Sequence, residues 1–545
     1  MKTFLPAVHQ ADGTLYGNIT GTGRRNTDPD ENLFNCIPWV LHNGEIAACP
    51  RNEFTQSSNV PNDAADRGRG LATFGGEIDL YMDQTNYYWD GGNTDLTATS
   101  SPGYAGNTGF NEEFTGSFVE HKVSGVPNLV IVNAGHASTH ASANHGNVWY
   151  AADAQSAPAS VSDADMPGNN GVSLVRGGAS LDGYLFLGDV NGQIHNSNLN
   201  DITAWTATDF ITASRDSGIG VYVGRHHDDV VSISTQGIEF FYNAGNASGS
   251  PLGRRGDVYH SIGCYFPNSI VEAGDIIYFV GTEKGTGATA VYVLENYTLT
   301  VLSDIKINEL LHHLSIHPNI ADLDSLEHAM WMSYTDFADS PGLILTNNYF
   351  WTYYWHKNTN KWCYWQYTGT VTYTGGADNN WQLTLPIMAH NGTPGKSNSR
   401  YQLINGRIVY ESVIVACNDA MNDWASSNTP VVFMQFPRWD AGTDRKKRVN
   451  WVRVITAPVS TDSSLADPSN VDLKWFDYSK SVTGGPIPPD TNYSTARTVN
   501  LNVRGARVSR CGTTRERSFI LDWPLGHGPV TVVKGLEIDY DIVGE

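Results

Sequence analysis

Apolar and polar residues alternate along most of this chain in short runs, each closed by a cluster of Gly, Asn, Asp or Ser. A period of two places one side of each run in a core and the other outside, which predicts half-buried β-strands. Ile78, Leu80 and Met82 show it before an aromatic strand at Tyr87-Tyr88-Trp89. Tyr184-Leu185-Phe186-Leu187 and Gln193-Ile194-His195 flank Asp189-Val190-Asn191-Gly192, whose Asn-Gly pair is a strong hairpin signal. Val231 and Ile233 alternate with Ser232 and Ser234, Thr235-Gln236-Gly237 turns the chain, and Ile238, Phe240 and Tyr242 return. Only Glu309–His317 reads as helix, and Pro318 stops it.

Marked out in this way, the strands fall into units of two or three runs, a turn and an aromatic-bearing strand, recurring at roughly 40 to 55 residues, the spacing of propeller blades. Units begin near Gly75, Val126, Gly177, Gly224, Ile270 and His328, and the last is long enough to hold an insertion or a seventh blade. The expected fold is therefore all-β: a β-propeller-like domain of about six blades over residues 66–440. An N-terminal extended segment with strands, 1–65, precedes it, and an additional C-terminal β module, 441–545, follows.

Composition supports strands over helices, with 15 Trp, 26 Tyr, 19 Phe and 54 Gly in 545 residues and only 17% charged side chains. The net charge of -22 is uneven. From Ala441 onward 14 Lys and Arg face 12 Asp and Glu, whereas the first 440 residues carry 20 against 44. Such a field opposes any grip on DNA that works by neutralising phosphates, although a surface that DNA slides past is compatible with it. Six scattered cysteines lack zinc-site spacing and read as small buried hydrophobes. No run of about 18 apolar residues predicts a membrane span, and the N-terminus lacks the apolar stretch of a signal peptide.

The chemical candidates are few. His226-His227-Asp228-Asp229 offers four metal-ligand side chains in a row, but neighbours on a strand point to opposite sides, so the stretch reads as the polar tip of a hairpin. His313 and His317 stand four apart beside His312 without the Glu of a zinc-protease helix. Asp189-Val190-Asn191-Gly192 with Trp205 is a poor version of the Asp-box of propeller glycosidases. Trp351, Tyr353, Tyr354, Trp355, Trp362, Tyr364 and Trp365 form two aromatic strands around a turn, suited to sugar stacking but read as blade packing. Arg445-Lys446-Lys447-Arg448 is a short basic run suited to partner docking. No phosphate-binding loop, dinucleotide fingerprint or nucleophile elbow occurs, and no catalytic residue, metal or cofactor is expected.

Several stretches resemble the head-completion proteins of short-tailed phages, the packaged-DNA stabilisation proteins related to podovirus tail nozzles. The similarity lies in Ile194 to Ser234, Ser234 to Asp304 and the closing GARVSRCGTTRERSFILDWPLGHGPVTVVKGLEIDYDI, with departures at His136 to His145 and Gly369 to Pro437. The resemblance implies a non-enzymatic virion protein forming a hexameric ring below the portal and its adaptor. Such a ring touches other tail proteins, retains packaged DNA and lets double-stranded DNA pass its lumen without specific binding. The rival readings are a propeller-fold glycan hydrolase and a carbohydrate-binding adhesin.

Overall fold

The computed structural model describes residues 1–6, 32–56, 70–100, 116–135, 145–151, 159–311, 330–365, 371–378, 387–391, 400–405, 412–417, 432–456, 470–477, 494–501, 506–523 and 532–544, with short gaps inside some of these spans. Strands dominate throughout, as the period-two pattern requires. Helical backbone at Ile307, Asn308, Leu310 and Leu311 marks the start of the expected helix, whose remainder, with His312, His313 and His317, lies outside the described residues.

Among the described residues, seven antiparallel sheets of the repeating kind follow one another along the chain. Blade 1 spans 70–100, blade 2 117–160, blade 3 179–212, blade 4 220–260, blade 5 262–301 and blade 6 330–365. The long last unit does hold a further blade: Ile387–Asn391, Arg400–Asn405 and Ser412–Cys417 form blade 7. Its outermost strand is Phe54–Gln56, paired through Val415 opposite Gln56. Early strands of neighbouring blades lie side by side, and 387–391 lies against both 330–337 and 70–74, so the ring of blades closes. Joining a strand that precedes the first blade to the sheet of the last ties the two ends of the ring together.

Among the described residues, the interfaces between blades 2 to 6 are apolar layers supplied by the inward positions of the period-two pattern. Val130, Val132 and Val148 of blade 2 meet Leu185 and Leu187 of blade 3, and Phe186 and Ile194 of blade 3 meet Val223, Val230 and Phe241 of blade 4. Val231, Phe240, Tyr278, Phe279, Leu343 and Trp355 carry the core on through blades 4, 5 and 6. At the inner edge of blade 4 an extra strand, Arg176–Gly177, runs parallel to Gly220–His226. Gly177 sits there at φ +88, and a Cβ on it would lie 2.0 Å from the Val223 carbonyl oxygen. Gly177→Ala therefore meets both a left-handed backbone and a collision with main chain. We expect it to destabilise the folded chain by about 2 kcal/mol or more, read as a lowered urea midpoint.

The two ends of the chain meet in a β-sandwich. Lys2–Pro6, Cys36–Val40 and Ile46–Pro50 share a sheet with Lys446–Thr456, Arg507–Ser509, Thr513–Thr514 and Val533–Gly544. Facing it are Asn32–Phe34, Val432–Gln435, Arg517–Trp523, Asn470–Asp477 and Arg497–Asn500. The second sheet is continuous with blade 6, because Phe34 pairs in parallel with Tyr364 at that blade's outer edge. Segment 1–65 is thus divided, with four of its described strands in the sandwich and Phe54–Gln56 in blade 7. The sandwich core joins Ile37, Cys49, Val452, Leu473, Phe519, Leu536 and Ile538 to Ile344, Tyr354 and Trp365 of blade 6.

Candidate functional site

The stretch His226 to Asp229 is the tip of the first hairpin of blade 4. His226 pairs directly with Asp229, and His227-Asp228 make a two-residue turn with His227 at φ 54. The four side chains do not converge. His226 and Asp229 are buried, whereas the Asp228 side chain is 95% exposed. Among the described residues no group of three or more His, Cys, Asp and Glu is placed to hold a metal ion.

What the buried pair engages is blade 5. The hairpin turn Asn296-Tyr297 of that blade enters blade 4 with both residues at positive φ. The Tyr297 ring packs edge-on against His226, with centroids 5.0 Å apart, and against Phe240 at 5.3 Å. Its hydroxyl donates to Asp229 Oδ2 at 2.9 Å, and Arg255 holds the same carboxylate by two hydrogen bonds while its guanidinium lies 5.4 Å from the Tyr297 ring. The Tyr297 backbone is held at both ends. Its N–H donates to His226 Nε2 at 3.2 Å, and its carbonyl accepts from His260 Nε2 at 3.1 Å. Burial, then the hydrogen bond to Asp229, pushes the Tyr297 phenol up to about 12. Burial, then the neighbouring His227, brings His226 down to about 4. These groups engage one another across a closed junction between two blades, although His226 Nδ1 and His227 Nε2 are buried there without completing a hydrogen bond.

Other candidates resolve into architecture in the same way. Asp189 Oδ1 accepts from the backbone N–H groups of Asn191 and Gln193, each at 2.9 Å, and Oδ2 receives His195 Nε2 at 3.0 Å, so this carboxylate ties the Asn-Gly hairpin of blade 3. Trp205 is buried and donates its indole N–H to the Ile202 carbonyl. Within the aromatic cluster Tyr353, Tyr354, Trp355 and Trp365 are buried. Trp362 donates to Leu302 O at 3.3 Å and Trp365 to Cys36 O at 3.0 Å, so these rings pack blade 6 against its neighbours. Cys36, Cys49, Cys264, Cys363 and Cys511 are all buried, and burial lifts the Cys49 and Cys264 thiols to about 12, far from a reactive thiolate.

The basic run lies on the first long strand of the sandwich and is not a continuous cationic patch. Lys447 is buried, donating to the backbone carbonyls of Thr443 and Arg515, so it is withdrawn from any docking surface. Arg448 reaches Asp541 at 3.1 Å, and Arg445 and Lys446 face outward. Strand parity held the signal that the charge run concealed: Lys447 and Val449 share the inward side. No helix among the described residues is long and apolar enough to cross a membrane.

Comparison with known proteins gives no match among curated sequences. Solved structures are similar to the chain at low identity. A streptogramin B lyase is 10% identical, with 67% of this chain and 96% of that one covered at a TM-score of 0.38. The Neurospora crassa Pan2 WD40 domain is 8% identical, with 72% and 97% covered at 0.37. Residues 116–382, which contain blades 2 to 6, match the family described as bacteriophage P22 Gp10, beta-propeller, a match that supports a phage structural protein of the head-completion kind.

Proposed function

We propose that this protein is a non-enzymatic component of the virion of a short-tailed phage, assembling as a ring of six copies below the portal and its adaptor, where it closes the filled head and forms part of the DNA exit path. The observation that carries the reading is the match of residues 116–382 to the phage family. The charge distribution agrees with it. A wall that gripped phosphates would have to release each of them during ejection, and the first 440 residues, 24 charges net negative, offer few cations with which to grip. The sandwich, nearly neutral, is the part of the chain with least self-repulsion against another protein, and Arg445, Lys446 and Arg448 are its outward cations along the basic run.

Mass measurement of the purified protein with and without a portal–adaptor complex tests this directly, together with images of the assembly. The expected result is a six-fold ring bound to the adaptor, with a hole of about duplex width, and filled heads that lose their DNA when the protein is left out. A persistent monomer that cleaves glycans, with activity abolished by a single Asp substitution, or one that only binds them, would replace the proposal by the hydrolase or the adhesin.

A further inference from the structure

The junction between blades 4 and 5 contains hydrogen bonds whose direction depends on a proton. His226 Nε2 accepts from the Tyr297 N–H, so it carries no hydrogen, and the proton of the neutral ring sits on Nδ1, which is buried and faces the Asp275 backbone without completing a hydrogen bond. His260, on the outer strand of the same blade, works in the opposite sense and donates to the Tyr297 carbonyl. We propose that this junction is a proton-sensitive latch: adding a proton to His226 turns its Nε2 from acceptor into donor, sets two N–H groups against each other and releases the Tyr297 turn of blade 5 from blade 4.

The surroundings decide how readily this happens. On its own hairpin His226 faces the His227 ring, with centroids 4.5 Å apart, and Asp229, which Arg255 of the outer strand neutralises. From blade 5 come the Tyr297 ring and Asp275, whose carboxylate lies 3.6 Å from His227 Nδ1. Phe240 completes the pocket, with His260 on its far side. Burial and the neighbouring His227 disfavour charge on His226, while Asp275 and Asp229 partly offset them, and the outcome is a closed-state value of about 4 against an ordinary 6.5. The folded-state value is depressed and the group is a base, so the released state takes up the proton more readily. The latch is therefore fully effective above about pH 6.5 and is lost progressively as pH falls toward 4. The device does not depend on which partners the protein has.

Hydrogen exchange of the full-length protein, corrected for the intrinsic pH dependence of amide exchange, tests the latch at the Asn296-Tyr297 turn. Opening of that turn should increase roughly fifty-fold between pH 7 and pH 4.5, with the sandwich pairing of Val452 and Ile538 as internal reference. His226→Gln supplies a side-chain oxygen to the Tyr297 N–H and cannot titrate, so its turn should remain protected across the range. Equal protection of the wild-type turn at both pH values overturns the latch, as does a His226→Gln protein that keeps the wild-type pH dependence. Should that variant fail to fold, nitrogen-15 signals of the wild-type imidazole decide the matter, since a His226 ring protonated at both nitrogens beside a still-protected Tyr297 amide is incompatible with the latch. A ring that gains its second proton only as the amide loses protection supports it.

Discussion

Trp365→Ala should remove about 3–5 kcal/mol of stability and uncouple the sandwich from the propeller. The indole is 2% exposed, stacks on Tyr354 with centroids 4.4 Å apart and donates to the Cys36 carbonyl. It stands in the outer strand of blade 6, yet belongs to the core that the N- and C-terminal strands share. Truncation thus opens a large cavity where two units meet and removes the indole's hydrogen bond to the Cys36 carbonyl as well. Calorimetry should then show the melting of the sandwich separating from that of the blades. Trp365→Phe keeps most of the packing and loses the donor, and should cost only about 1–3 kcal/mol. Equal effects of the two substitutions would show that the hydrogen bond, not the ring volume, holds the junction.

Arg517→Met is expected to be comparably severe, at about 3–5 kcal/mol. Arg517 is 1% exposed, and its guanidinium meets both oxygens of Asp477, at 2.6 and 3.0 Å, as well as the Cys511 carbonyl. Rings of Trp475 and Phe519 lie 5.3 and 6.0 Å from it, so the site matches the planar, weakly hydrated group that arginine alone supplies. Removing it leaves a partly buried carboxylate and a carbonyl without their donors. Asp477→Asn added to Arg517→Met should recover part of the loss in a denaturant titration. A double variant no more stable than the single one would mean that packing around the methylene stem, not the ion pair, dominates.

The blades were legible because their information is local. Alternation in Val231, Ile233 and Ile238, Phe240 fixes which face is buried, and Asn191-Gly192 fixes a turn. The hairpin at His226 to Asp229 could be read for the same reason. What the pattern could not show is pairing across hundreds of residues. Phe54–Gln56 completes a blade whose other strands start at Ile387, and no periodicity connects them. Tyr297 lies 71 residues from the His226 that accepts its N–H, so the latch was likewise invisible until the blades were placed side by side. Lys447 was misplaced for a different reason, since four charges in a row outweighed the parity of the strand that carries them.

The parallel pairing at Phe34 and the strand swap at Phe54 have a consequence during synthesis. Strands near the beginning emerge from the ribosome hundreds of residues before the partners that satisfy their backbone groups, and loop closure over such separations is slow. Meanwhile blades 2 to 5 can assemble in order on the nascent chain from neighbouring hairpins. A pulse-labelled chain stopped after residue 365 should accordingly be protease-resistant from 117 onward yet cut freely near its start, which makes the leading strands the natural clients of chaperones.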